Sequence, residues 1–273
     1  MIYRLSLPEK ISVALFVIFS VWWVVLYFVF SAELAQQDLY WAAVYQLLAW
    51  WGGIYGLISA RMWGSFKSLM GRGIIFFSIG LLLQAFGQVT FSYYTTLLHI
   101  DIPYPSIADV GYFGSILFYV LGIASVAKIS GVGVRLKETK AQLLALIVSL
   151  ALLVFSYTLF LRGYEFDWSS PLKIFLDFGY PLGEALYVAI ALLALILSRN
   201  ILGGVMKTPL TFLITALIVQ YFADFNFLYQ AYNNTWINGG YGDFLYTLAY
   251  FLMAVSLAKI AQTLVTHRAS ESA

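Results

Sequence analysis

Two pairs of polar side chains sit inside apolar runs of this chain. Gln84 and Gln88 lie in GLLLQAFGQVTFSYY, and Gln220 and Asp224 in LTFLITALIVQYFADFNFLYQAYNN. The i, i+4 spacing puts both members of each pair on one helix face. From Leu210, Asp224 falls about 21 Å along a helix, within the outer half of a membrane. An acid at that depth costs about 2.5–3.5 kcal/mol on insertion scales, and intramembrane ionisable residues usually serve function. Asp224 is read as the only acid at depth within a span. No cation shares its span, so its expected partner is an amide, a tyrosine or water. Interhelical hydrogen bonding is the competing reading, and the one favoured for the two glutamines.

A second set recurs at the starts of return helices: Asp38, Asp109, Glu184 and Asp243. Tyrosine follows three residues later in three of them, as Tyr112, Tyr187 and Tyr246, and Trp41 takes its place in the first. Acids in a first helical turn cap free N–H groups and meet the positive end of the helix dipole. Ser106-x-x-Asp109 fits a capping box, and Pro181 suits a first helical position with Glu184 just after it. Capping plus an interfacial tyrosine belt is one reading. The other is a shared outward-facing pocket, with Gln84, Gln88, Gln220 and Asp224 inside and Asp109, Tyr112, Glu184, Tyr187, Asp243 and Tyr246 nearer the mouth.

The elements that must carry these groups follow from composition. Hydrophobic residues make up 62% of the 273 and charged residues 10%, against about 45–50% and 25% in soluble domains. Apolar runs near 20 residues suit membrane helices and not barrel strands. An all-α polytopic bundle of eight spans is expected: Ile11–Ser31, Leu39–Ala60, Gly73–Leu98, Ile107–Ile129, Ala141–Leu161, Pro181–Ser198, Leu210–Ala231 and Gly242–Val265. The whole chain, 1–273, reads as one transmembrane domain, and Arg162–Tyr180 as its longest outer loop.

Charge segregation orients it. With both termini in the cytoplasm, all Lys and Arg except Arg162 and Lys173 fall inside, and all acids except Glu9, Glu138 and Glu271 fall outside or in the outer half. Lys128 and Lys259 end their spans on the cytoplasmic side, where they are expected to snorkel. The spans read as four hairpins repeated in the same direction. Gln84 answers Gln220, Gln88 answers Asp224, Asp109 answers Asp243, Tyr112 answers Tyr246, and Lys128 answers Lys259.

Several chemistries lack their residues. Lysines only at helix ends exclude a retinal Schiff base. The chain has no cysteine, and its two histidines, His99 and His267, fall on opposite sides, so no cofactor or metal is expected. Ser92, Ser156 and Ser256 have no His partner for hydrolysis, and no catalytic motif marks an enzyme. Gly52-Gly53 and Gly111-x-x-Gly114 read as close helix packing and not as nucleotide loops. Asn233-Asn234-Thr235 matches a glycosylation sequon to which no function is given. The basic residues are the positive-inside set, so no nucleic-acid partner is expected.

The segments YPSIADVGYFGSILFYVLGI, DFGYPLGEALYVAIALL and ADFNFLYQAYNNTWINGGYGDFLYTLAYFLMAVSLA resemble the N-terminal multi-pass regions of bacterial signalling proteins. In those, GGDEF or EAL (cyclic-di-GMP) or kinase domains follow the membrane part. The resemblance covers most of spans three to eight. It implies a sensory or signal-input role in the inner (plasma) membrane, with a small-molecule ligand and a cytoplasmic signalling partner beside the lipid bilayer. Only Thr266–Ala273 follows the last span. The resemblance therefore implies a stand-alone relative with separate partners, or the membrane part of something longer. The rival function is a secondary transporter or channel that uses Asp224 as its coupling acid.

Overall fold

The computed structural model describes residues 5–29, 35–132, 136–197, 206–233 and 235–271, and every regular element among them is a helix. In chain order these are α1 (Leu7–Val29), α2 (Ala35–Val44), α3 (Leu47–Met62), α4 (Leu69–Ser92), α5 (Ala108–Ile129), α6 (Thr139–Ser156), α7 (Pro171–Leu197), α8 (Lys207–Tyr232) and α9 (Tyr241–Glu271). Short helical turns follow α3, α4 and α6. Seven of the nine, all but α2 and α3, are long and apolar enough to cross a membrane. Arg4, Arg135, Arg199, Asn234 and the side chains of Asp38, His267 and Arg268 lie outside the described residues.

Two departures from the expected spans bear on the site. The second span is not one helix: α2 and α3 are separated by a turn at Tyr45–Gln46. Gln46 Nε2 donates to Ala43 O at 2.7 Å there, satisfying a carbonyl that the interrupted helix leaves free. The second change is larger. The predicted outer loop Arg162–Tyr180 holds the first ten residues of α7, which starts at Pro171. Both Pro171 and Pro181 suit a first helical position, and the helix uses the earlier one. Pro181 therefore lies inside α7, and Glu184 caps nothing.

Six helices close into a ring in the order α3, α4, α5, α7, α8, α9 and back to α3. The other two spans lie outside it. α1 packs chiefly on α9, and α6 on α7. Only 17% of the α1 span and 6% of the α6 span are buried, against 44–67% for the other spans. α1 is therefore held to α9 more than to its sequence neighbour α3. Phe16 stacks on Phe251 with centroids 4.2 Å apart, and Trp23 Nε1 donates to Gly239 O at 2.9 Å. At the other end of the same helices Lys259 Nζ lies 2.8 Å from the buried Glu9 carboxylate. Lys259 thus ends in an ion pair, where snorkelling was expected. The same Glu9 carboxylate accepts from Ser6 N and Ser6 Oγ, both at 2.7 Å, which fixes the start of α1.

Small residues set the tightest contacts, as expected for helices in lipid. A Cβ on Gly111 would meet backbone atoms of α4, Leu83 O at 2.5 Å and Gly87 N at 2.6 Å. Gly114 faces only the Leu83 side chain, at 3.4 Å. Gly52 and Gly53 seat α3 against Ala254 of α9 and Ser78 of α4. Gly111→Ala must push α5 off α4 and should cost about 1–3 kcal/mol, read as a lowered unfolding temperature in detergent. Gly114→Ala should leave that temperature within error.

Candidate functional site

Helices that alternate in direction bring the loops 98–107, 162–170 and 235–240 to one end of the ring. A cavity of about 530 Å³ opens there and runs down between the helices. Its volume lies in the range of small-molecule sites, about 300–1,000 Å³. Eight of the ten residues picked from the sequence line it: Gln84, Gln88, Asp109, Tyr112, Glu184, Asp224, Asp243 and Tyr246. Gln220 and Tyr187 do not. They stand behind Asp224 and hold it.

Each buried acid but one is given donors. Asp109, at the start of α5, accepts from Ser106 N at 2.7 Å, while Ser106 Oγ accepts from Ala108 N at 3.2 Å. Its other oxygen accepts from Tyr180 on α7 at 2.8 Å. Asp243, at the start of α9, has the same arrangement. It accepts from Gly239 N at 2.7 Å and from Tyr45 at 2.9 Å. Of the acids expected to cap, Asp109 and Asp243 do so, and each also ties its helix to another part of the ring.

Asp224 accepts from Gln220 Nε2 at 3.0 Å and from Tyr187 at 3.2 Å, and the Tyr246 hydroxyl also reaches it. Its partners are thus an amide and phenols. Gln88 and Gln84 occupy the matching level of α4. Tyr112 donates to Gln88 Oε1 at 2.7 Å, and Gln88 Nε2 donates to Ala42 O at 3.1 Å. Gln84 donates to Ser115 Oγ at 2.8 Å and accepts from Tyr250 at 3.0 Å.

Glu184 differs. It sits thirteen residues into α7, about 20 Å from the helix start. It is 2% exposed and lines the cavity. Among the described residues its carboxyl has neither a hydrogen-bond donor nor an ion-pair partner. Asp224, on the neighbouring α8, lines the same cavity. Asp224 is therefore not the only acid at depth. A helix start at Pro181 puts Glu184 at the mouth; the start at Pro171 puts it at depth.

At the mouth, Asp177 accepts from Tyr104 at 2.8 Å and from Tyr164 at 2.7 Å, joining two loops to α7. The hydrogen bond to Asp177 pushes the Tyr164 phenol up to about 12. Burial, with the same carboxylate, holds Tyr104 well above the ordinary phenol range. Aromatic rings of Phe91, Phe227, Trp236 and Tyr250 complete the wall. Of these contributors, Tyr250 was legible: it lies four residues after Tyr246 and seven after Asp243, on the same face of α9. Tyr45, Tyr104, Asp177 and Tyr180 gave no periodic signal.

No group of three or more His, Cys, Asp or Glu converges to hold a metal ion among the described residues. Comparison with protein-family models, curated proteins and solved structures finds no match to this chain. The site's chemistry therefore has to be argued from its geometry.

Tyr45→Phe and Tyr180→Phe each remove one phenolic donor from a buried, capping aspartate. Each should cost about 1–3 kcal/mol, and by similar amounts. Thermal unfolding of the purified variants reads both. A loss confined to one would show that the two clamps are not equivalent.

Proposed function

We propose that this chain is an integral membrane protein that takes a small ligand into the cavity from the non-cytoplasmic side and passes the bound state inward through α9. The observation that carries the reading is the course of α9. Its first turns supply Asp243, Tyr246 and Tyr250 to the cavity wall. Its far end bears Lys259, paired with Glu9, and Ile260, whose carbonyl accepts from Trp63 Nε1 at 3.3 Å. One rigid helix joins the ligand site to contacts at the opposite face. A two-state element shared by both sites is what signal transfer requires.

The charge pattern sets the orientation in this reading. The basic turns carrying Arg61, Lys67 and Arg72 face the cytoplasm, and the cavity faces outward. A repeat is part of the proposal. The ring order maps onto itself when α3, α4 and α5 exchange with α7, α8 and α9. Under that exchange Gln84 meets Gln220, Gln88 meets Asp224, and the Tyr180–Asp109 clamp meets the Tyr45–Asp243 clamp. Two halves of one origin would hinge about the cavity between them.

A transporter with Asp224 as coupling acid needs a polar route to the other face. Below the cavity the ring is filled by buried Phe77, Ile123, Leu213, Leu217, Met253 and Leu257. That packing supports the receptor reading over the transporter.

The cysteine-free sequence makes the orientation simple to test. Lys173→Cys at the cavity rim should react with a membrane-impermeant maleimide in intact cells. Lys67→Cys should react only after permeabilisation. The reverse pattern would invert the proposal. Proton or cation flux through liposomes that is abolished by Asp224→Asn would replace the receptor with a transporter.

A further inference from the structure

The cavity is acidic at every level and carries one cation. Asp109 and Asp243 flank it, Glu184 and Asp224 lie deep, Asp177 is at the mouth, and among the described residues the only lysine or arginine in the wall is the exposed Lys173. Four of those five acids are already engaged by hydrogen bonds from the protein. Glu184 is not, although it is 98% buried and lines the cavity. A carboxylate in so enclosed a wall favours a counter-charge or a proton. A cation entering the cavity would supply that counter-charge at Glu184.

The shape of the cavity narrows what would supply it. About 530 Å³ is far more than one ion needs. Among the described residues no three carboxylates converge as a metal ion requires. Much of the remaining wall is aromatic, including Tyr112, Tyr246, Tyr250, Phe227 and Trp236. Rings of this kind attract cations through their faces and pack apolar groups as well.

Building on the receptor reading above, we infer that the ligand is an organic monocation: an ammonium group seated between Glu184 and Asp224, on an aryl or alkyl body held by the aromatic wall. Glu184 supplies the counter-charge. Asp224, held in place by Gln220 and Tyr187, orients the ammonium from the other side. Tyr104 and Trp236 meet the body of the ligand nearer the mouth.

The test uses the full chain purified in a neutral detergent and three matched probes: 2-phenylethylammonium, 2-phenylethanol and phenylacetate. Calorimetric titration should show the ammonium binding at least tenfold more tightly than the alcohol, with phenylacetate binding weakest. Glu184→Gln should reduce the preference for ammonium over alcohol by tenfold or more while leaving binding of the alcohol in place. The comparison among probes on the unaltered protein stands even if that variant fails to fold. Equal binding of ammonium and alcohol, or a preference for phenylacetate, overturns the ligand class and leaves a ligand cavity standing. Absence of binding by all three also overturns the class. The receptor reading falls separately, if cysteines placed in the cavity cannot be reached from outside.

Discussion

A carboxyl group inside a helix bundle in lipid must be given donors, a proton or a counter-charge, because water is not there to provide them. Much of this structure is organised by that requirement. Asp109 and Asp243 meet it with a backbone N–H of their own helix start and a phenol from another segment. Asp224 meets it with an amide one turn away and phenols from neighbouring helices. These bonds bind α5 to α7 and α9 to the α2–α3 turn, and so set the width of the cavity. Glu184 is given no donor by the described residues, and it opens onto the cavity.

The fold was legible where the physics is one-dimensional. Apolar length gave the helices, and charge segregation sorts the basic turns from the acid-rich loops. The i, i+4 pairs and the acid–tyrosine spacing picked out eight residues that line one cavity, with Gln220 and Tyr187 behind Asp224, because spacing on a helix fixes a face. The errors came where two local signals were equivalent or the partner was remote. Pro171 and Pro181 are equally good helix starts, and choosing the later one hid the depth of Glu184. Tyr45 and Tyr180 matter through acids far away in sequence, so no local pattern marks them. The Lys259–Glu9 pair spans nearly the whole chain and depends on α1 leaving α3 for α9, which hydropathy does not encode.

α6 is almost wholly exposed outside the ring, and α1 touches the ring mainly through α9. The six-helix ring is locked instead by glycine contacts such as Gly111 against Gly87 and by the two aspartate–tyrosine clamps. α9 belongs to both the clamp system and the Glu9–Lys259 contact. A ligand that alters how Asp243 or Tyr246 sits would act on a helix whose other end is already held by an ion pair.

Water and a small cation should reach Glu184 and Asp224 from the end of the ring bearing the 98–107 loop. Ile116 is buried, lines the cavity and packs against Gly183 beside Glu184. The most direct measurement is the reaction of an Ile116→Cys variant with a small, charged, membrane-impermeant thiosulfonate applied to either face. The account predicts modification by a cationic reagent from the cavity face alone, faster than by an anionic reagent of the same size. No reaction from that face, with a cysteine at the Lys173 rim position reacting normally, would contradict it.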